Sequence, residues 1–430
     1  MNKKKLNIII GCLILGGISS FAQEVPVTLE AYKKKVLGYS RQIKQSSEER
    51  VAMQEAMRAA KTAFLPSVDF SGNYQFRINK YDLALGGTGV EMDHNTYNLG
   101  AIVNQPIYMG GKIYNNYKAA QIQNEIAAKS EELTVDNIIY SADMNYWAAA
   151  AHKGMYDIMC QFVDIVKELE KILETRFNDG QISKTDLLQV RSRLKEAELN
   201  RSNAYKDYQI ALQNMNILMG KSPVEPVSLA DTITQPISLP SVKNDVEDIL
   251  SNRPDYNISQ LEIEYQKRKV NMAKAKYNPS FSIGFQGSWG TPMLNVKGSE
   301  QIWTPTLIAT LKIPVFHWGA RSKEVNSQRA ILRSKEYALD QAKDKISQEV
   351  ANAWTNLSEN TKQISLAKEA CQIAEENLEL NTFSYNEGKL PILDVLSAQL
   401  SWIQSYSSLI QTWYQQKAAL AQYNKAISHN

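Results

Sequence analysis

The sequence predicts a mainly α protein with a transmembrane β part, built from a duplicated β-β-α-α unit. Three observations carry that prediction. Segments return in pairs: FLPSVDFSGNYQFRI (64–78) as YNPSFSIGFQGSW (277–289), NLGAIVNQPIYMGGK (98–112) as TLIATLKIPVFHWGA (306–320), and RFNDGQISKTDLLQV (176–190) as SYNEGKLPILDVLSA (384–398). Pro106 and Pro314, Gly180 and Gly388, and Asp186 and Asp394 are each 208 positions apart, so one unit was copied as a block. Four segments alternate apolar and polar residues with period two, and each pair of them is followed by an apolar heptad pattern far longer than the helices of a globular domain.

Residues 1–22 read as a secretory signal peptide. Lys3, Lys4 and Lys5 form a basic start, Leu6 to Ile18 an apolar core, and Ser20-Phe21-Ala22 a small-x-small cleavage site. That core is shorter than the ~20 residues a spanning helix needs. Its removal takes three of the 48 basic residues, leaving them equal to the 45 acidic ones. A neutral mature chain has no electrostatic reason to bind nucleic acid. No later run is long and apolar enough for a helical span, so insertion in a membrane must use β-strands.

The first repeat is expected over 23–220: a helix, strands at ~66–78 and ~96–106, a long helix ~112–177, a tip turn ~178–181 and a return helix ~182–219. A proline-rich linker follows at 221–242. The second repeat, 243–430, has a helix, strands at ~279–289 and ~304–314, a long helix ~319–385, a tip turn ~386–389 and a return helix ~391–427. In the first strand Val68, Phe70, Tyr74 and Phe76 oppose Asp69, Ser71, Asn73 and Gln75. In the second copy Phe281, Ile283, Phe285 and Trp289 oppose Ser282, Gly284, Gln286 and Ser288. Such alternation fits a strand with lipid on one face and water on the other, or a half-buried sheet of a soluble domain. Aromatic residues at the segment ends, Tyr108, Trp289, Trp303, Phe316 and Trp318, favour a membrane with interfacial girdles. Four strands cannot close a barrel, and an open edge in lipid leaves backbone groups unpaired, so the barrel must be shared between chains. Gly86-Gly87-Thr88-Gly89, between paired strands, reads as an extracellular loop.

Within the first long helix Met155, Ile158/Met159, Phe162, Ile165/Val166, Leu169 and Ile172/Leu173 recur at alternating steps of three and four, a seam for side-by-side helices. Glycine ends each hairpin, in Asn178-Asp179-Gly180-Gln181 and Asn386-Glu387-Gly388-Lys389. Asp186 and Asp394 lie near the starts of the returning helices, where a carboxylate can cap free amides. Cys371 falls on an apolar stripe and Cys160 off the corresponding one, so free thiols are expected.

The duplicated units, the junctions QPIYMGG and IPVFHWGA, and the two turns with their G-x5-D pattern closely resemble the TolC-like outer membrane efflux proteins over nearly the whole mature chain. The resemblance implies a homotrimer in the outer membrane of a Gram-negative bacterium. Its twelve strands form one barrel and its helices a long periplasmic coiled-coil tunnel, served by a periplasmic adaptor and an inner-membrane pump. It further implies a periplasmic gate of Asp186, Asp394, Tyr385 and Phe177. The docking tips it implies for the adaptor are Asn178, Asp179, Gly180, Gln181, Glu387, Gly388 and Lys389. Leu390 and Ser397 stand where well-known members carry an arginine and a second aspartate, so their salt-bridged lock is not expected in that form.

No enzymatic signature is present: no metal-binding HExxH, nucleophile elbow or phosphate loop, and four scattered histidines without ligand spacing. The reading is therefore a non-enzymatic exit duct without cofactor or metal, passing drugs or other small molecules. A duct for type I protein secretion is the first alternative. An exported coiled-coil structural protein or adhesin is the second, and it leaves four amphipathic strands without a purpose.

Overall fold

The computed structural model describes residues 26–79, 82–85, 88–241, 245–292 and 295–428; the segment expected to be a signal peptide and Gly86-Gly87 lie outside them. The elements run α1 (Leu29–Tyr39), α2 (Arg41–Thr62), β1 (Ser67–Phe76), β2 (Asp82–Leu85), β3 (Thr88–Glu91), β4 (Asn95–Met109), α3 (Lys112–Asn178) and α4 (Lys184–Met219). The second copy continues α5 (Val246–Asn252), α6 (Pro254–Ala275), β5 (Ser280–Gly290), β6 (Ile302–Lys312), α7 (Ala320–Asn386) and α8 (Ile392–Ala426).

Where the sequence suggested one helix ahead of each strand pair, there are two. Ser40 ends α1 through its N–H to the Val36 carbonyl (2.8 Å) and starts α2 by accepting from Ile43 N on its Oγ (3.3 Å). Proline at the first position of α6 makes the matching break. A short hairpin, β2 with β3, lies between β1 and β4 and was not anticipated. The second strand also runs three residues past Pro106, its expected end. The ladder with β5 is interrupted between Pro106 and Tyr108, where a residue without an N–H can sit, and then resumes.

The four long strands form one antiparallel sheet in the order β1-β4-β5-β6. Register puts Val68 opposite Val103, Val103 opposite Phe285, and Phe285 opposite Leu307. The alternating apolar sets therefore share one face across all four strands. Val68, Phe70, Tyr74, Leu99, Phe285, Trp289, Trp303, Leu307 and Leu311 are exposed, an apolar surface too large for a soluble protein to leave in water. The other face carries Ser71, Asn73, Asn98, Ser282, Gln286, Thr306 and Thr310. The bulge at Ile107–Tyr108 inserts one residue and so turns Tyr108 onto the apolar face, opposite Phe281. Strands β1 and β6 are open edges.

Helices continue the sheet strand by strand. α2 enters β1, β4 leaves into α3, α6 enters β5, and β6 leaves toward α7; α2 packs on α3, α3 on α6, and α6 on α7, the same lateral order. Farther from the sheet α4 and α8 replace α2 and α6, packing on α3 and α7, with α8 also against α3. α3 and α7, 67 residues each, span both halves and extend about 100 Å. No helix among the described residues is long and apolar enough to cross a membrane.

Heptad residues bury as expected for coiled helices. Phe162, Val166, Leu169 and Leu173 of α3 meet Leu187, Val190 and Leu194 of α4 and Val395, Trp402 and Ile403 of α8 in one core near the hairpin ends. Two further cores form a belt midway: Tyr32, Val36, Tyr146, Ala149, Met215 and Leu229 in the first copy, Ile249, Ala353, Leu357 and Tyr423 in the second. Trp147 and Trp354 are packing residues here, against Tyr146 and Tyr423. Cys160 and Cys371 are free thiols.

The belt holds buried charge. Arg253 is buried and donates to Asp255 Oδ2 (2.6 Å), Glu349 Oε2 (3.0 Å) and the last carbonyl of α8, Ala426 (3.0 Å), tying α6, α7 and α8 together. Lys417 is 2% exposed; its Nζ donates to the Gln235 carbonyl at 2.6 Å and lies 4.2 Å from the centre of the Trp147 ring. Burial pulls its pKa down to about 8, against the opposing charge of Asp231. An unfolded lysine keeps its proton to about pH 10.4. Between these values the unfolded chain binds more protons, so stability rises with pH. Thermal melts should move upward from pH 7.5 to 9.5, by up to about 2 kcal/mol of stability at this site. Lys417→Met should flatten that rise, and an identical pH slope in wild type and variant would refute the assignment.

Candidate functional site

The functional candidates gather at the two ends of the long helices. At the hairpin ends both copies stop α3 and α7 with the same backbone device. Gly180 and Gly388 each have φ +73°, and Gln181 N reaches the Arg176 carbonyl (2.8 Å) as Lys389 N reaches that of Ser384 (2.9 Å). These are Schellman ends, which only a residue free of a Cβ adopts at little cost. A Cβ built at either glycine meets no atom within 4 Å. Asn178, Asp179, Gly180, Gln181, Glu387, Gly388 and Lys389 are all exposed and form a blunt double tip.

The two aspartates of the repeated G-x5-D pattern are not equivalent. Asp186 is the third residue of α4 and closes a capping box: its Oδ2 accepts from Ser183 N (3.3 Å) and Ser183 Oγ (2.9 Å), and Ser183 Oγ accepts from Asp186 N (3.2 Å). Asp394 occupies the same place in α8, where Pro391 has no side-chain oxygen or N–H to reciprocate. Its carboxylate is exposed and has no hydrogen-bond partner among the described residues.

Tyr385 is 6% exposed within the core near the tips, with Phe177 against the same core. The Tyr385 hydroxyl is buried without a partner, an arrangement rare in native interiors. Its ring lies under the guanidinium of Arg176, 5.1 Å from the centroid. Arg176 also reaches the Asn386 carbonyl (3.2 Å), Asn386 Oδ1 (3.3 Å) and the Tyr385 carbonyl (3.5 Å). Those carbonyls lie at the electronegative end of α7, where that of Tyr385 also accepts from Gly388 N (2.9 Å), so an arginine of the first copy caps the helix of the second. Arg176 was not among the residues singled out in the sequence. The signal lay in the repeat: at the matching offset the second copy has Ser384.

At the sheet end, Trp289 and Trp303 face each other across β5 and β6 at the edge far from the helices. Tyr108 lies at the near edge, and Phe316 and Trp318 just beyond it, in edge contact at 4.9 Å. All five are exposed. From Phe281 to Trp289 is eight residues, roughly 26 Å at ~3.3 Å per residue, close to the apolar band of an outer-membrane barrel. Trp318, 90% exposed, is held at φ +49°, a region that bulky residues enter only under constraint. Among the described residues no cluster of three or more His, Cys, Asp or Glu could hold a metal ion.

The family described as outer membrane efflux protein matches residues 34–221 and 246–428. Nodulation protein T of Rhizobium leguminosarum bv. trifolii is 23% identical over 59% of this chain and 56% of its own length, so that match takes in little more than half of the relative. The outer membrane efflux protein BepC of Brucella suis is 21% identical over 94% of this chain and 85% of its own. The Campylobacter jejuni CmeC outer membrane channel superposes with a TM-score of 0.79 at 18% identity, covering 100% of this chain and 94% of that one.

Proposed function

The chain belongs to the outer membrane efflux protein family, and on that premise we infer that it is the exit duct of a tripartite efflux pump. It lies in the outer membrane, with its helices extending into the periplasm. One observation carries the reading most directly: a four-stranded sheet with one largely apolar exposed face, two open edges, and a helix continuing each strand. Open edges are intolerable in lipid, and pairing β1 of one chain with β6 of the next removes them. Three copies give a twelve-stranded barrel with the polar face toward water. Trp289 and Trp303 then belong to the outer aromatic girdle, and Tyr108, Phe316 and Trp318 to the periplasmic one.

Cargo is a drug or another small molecule delivered by an inner-membrane pump through a periplasmic adaptor. The adaptor docks on the tips around Gly180 and Gly388. Tyr385, Phe177, Asp186 and Asp394 form the gate behind those tips, with Arg176 joining the two hairpins. A coiled-coil spacer or adhesin would have no use for the exposed apolar face of the sheet.

Purified protein in planar bilayers should give discrete single-channel currents, and its mass in detergent should be that of a trimer. Insertion as a stable monomer, or an absence of conductance from the inserted trimer, would overturn the reading.

A further inference from the structure

We propose that the neck where the barrel meets the helical tunnel is an anion-binding collar, a site for phosphate- or carboxylate-bearing solutes inside the lumen; the inference rests on the duct reading above. A cavity of about 500 Å³ opens there, between the near ends of β4, β5 and β6 and the helices α3, α6 and α7. Its wall includes Lys112, Lys269, Lys276 and Lys312 against a single carboxylate, Glu324. That carboxylate is already engaged: both its oxygens accept from Lys276 Nζ at 3.1 Å, and Oε2 also accepts from Tyr277 Oη at 2.7 Å. Lys112, Lys269 and Lys312 have no carboxylate in ion-pair range among the described residues, which leaves three uncompensated positive charges around one cavity. Lys269 lies over the Tyr265 ring, 5.0 Å from its centroid.

Register decides which side of the wall these charges face. Lys312 pairs with Ser280, and Ser280 with Met109. All three lie on the face of Ser282, Gln286 and Thr310, opposite to the face of Phe281, Leu311 and the bulge-turned Tyr108. The cavity is therefore on the water side of the sheet, and lipid headgroups outside the barrel are not its ligands. Lys312 is also the only basic residue in β1, β4, β5 and β6, with Asp69 the only acidic one, so its place at the neck is not part of a general surface charge.

Helix stability does not account for the cluster. Lys112 opens α3, where a positive charge opposes the helix dipole, and no acidic residue balances it in that turn. Converging unpaired cations on a confined aqueous wall raise the local concentration of anions and slow their passage. At the opposite end the tips mix Asp179, Glu387 and Asp394 with Lys184 and Lys389, so no comparable excess of positive charge is found there.

The test uses the full-length trimer in planar bilayers of zwitterionic phosphatidylcholine, with tripolyphosphate added on the barrel side. Wild type should show concentration-dependent current block. Lys112→Gln with Lys269→Gln and Lys312→Gln should weaken that block about tenfold, while the matching triple arginine variant should retain it. Open-channel conductance in potassium chloride reports folding of each variant. If the triple glutamine variant gives no channels, Lys312→Gln alone should weaken block about threefold. Block that is absent in a conducting wild type, or equal in the glutamine variants, overturns the collar and leaves the duct intact. Block that needs added anionic lipid would assign the lysines to headgroups and overturn it as well. A wild type that forms no channel removes the duct reading and the collar together.

Discussion

Cells that rely on this chain for efflux are expected to lose it when Gly180→Trp and Gly388→Trp are combined, with the trimer still present in the outer membrane. Both glycines have φ +73°, so any other residue pays a conformational cost of roughly 1–2 kcal/mol per site. That cost falls on the last turn of hairpins anchored by the core of Phe162, Leu173, Val395 and Trp402, and by the distant sheet ladders. No atom lies within 4 Å of the added Cβ, so the indole projects outward into the surface proposed for the adaptor. Folding should survive and docking should not. The measurement is drug susceptibility in a strain lacking its own duct, beside the trimer recovered from its membranes. Wild-type resistance from the double variant would remove the tips from the docking surface.

A second large effect is expected at the proposed gate. Arg176→Ala should raise single-channel conductance several-fold. The side chain bonds two backbone carbonyls at the end of α7 and covers the Tyr385 ring, and with Arg193, which donates to the Leu396 carbonyl of α8, it links the two hairpins by charge. Its loss leaves the Asn386 carbonyl to water and removes the bridge nearest the tips. Unaltered conductance would mean that packing alone holds the hairpins together. The aspartates should separate in the same recordings. Asp394→Ala should reduce cation selectivity and leave the melting temperature unchanged, because its carboxylate has no partner to lose. Asp186→Ala removes the reciprocal half of a capping box and should cost about 1 kcal/mol of stability. Equal loss of selectivity from both would show that capping does not withhold Asp186 from the pore.

Most of the fold class was legible because it is written in local periods. Alternation in 67–76 and 280–290 gives strands, heptads in 155–173 give a coiled seam, and glycine after Asn-Asp and Asn-Glu gives the turns. What escaped lacks a period. The β2–β3 hairpin has strands of four residues, too short to establish alternation. The bulge at Ile107–Tyr108 depends on which residue of β5 lies opposite, and no reading of β4 alone contains that. The break at Ser40 reuses one residue to end α1 and begin α2, so apolar spacing hardly changes across it. At the site, the sequence marked Asp186 and Asp394 as a matched pair. Their difference lies in a neighbour, serine at 183 and proline at 391. The Arg176 clasp and the lysines at the neck bring together positions far apart in sequence, which spacing does not encode.

The unbroken length of α3 and α7 has a mechanical consequence. From Trp147 in the belt to Asn178 at the tip is 31 residues, about 47 Å of rigid rod at ~1.5 Å per residue. With the belt as fulcrum, a tilt of only ~10° sweeps the tip through roughly 8 Å, wider than a side chain is long. Angular error in the belt is magnified at the mouth in the same proportion. The dense cores and the Arg253 clasp there act as the bearing of a lever, and small repacking around Tyr146 or Tyr423 should be felt first by the aperture and hardly at all by the sheet.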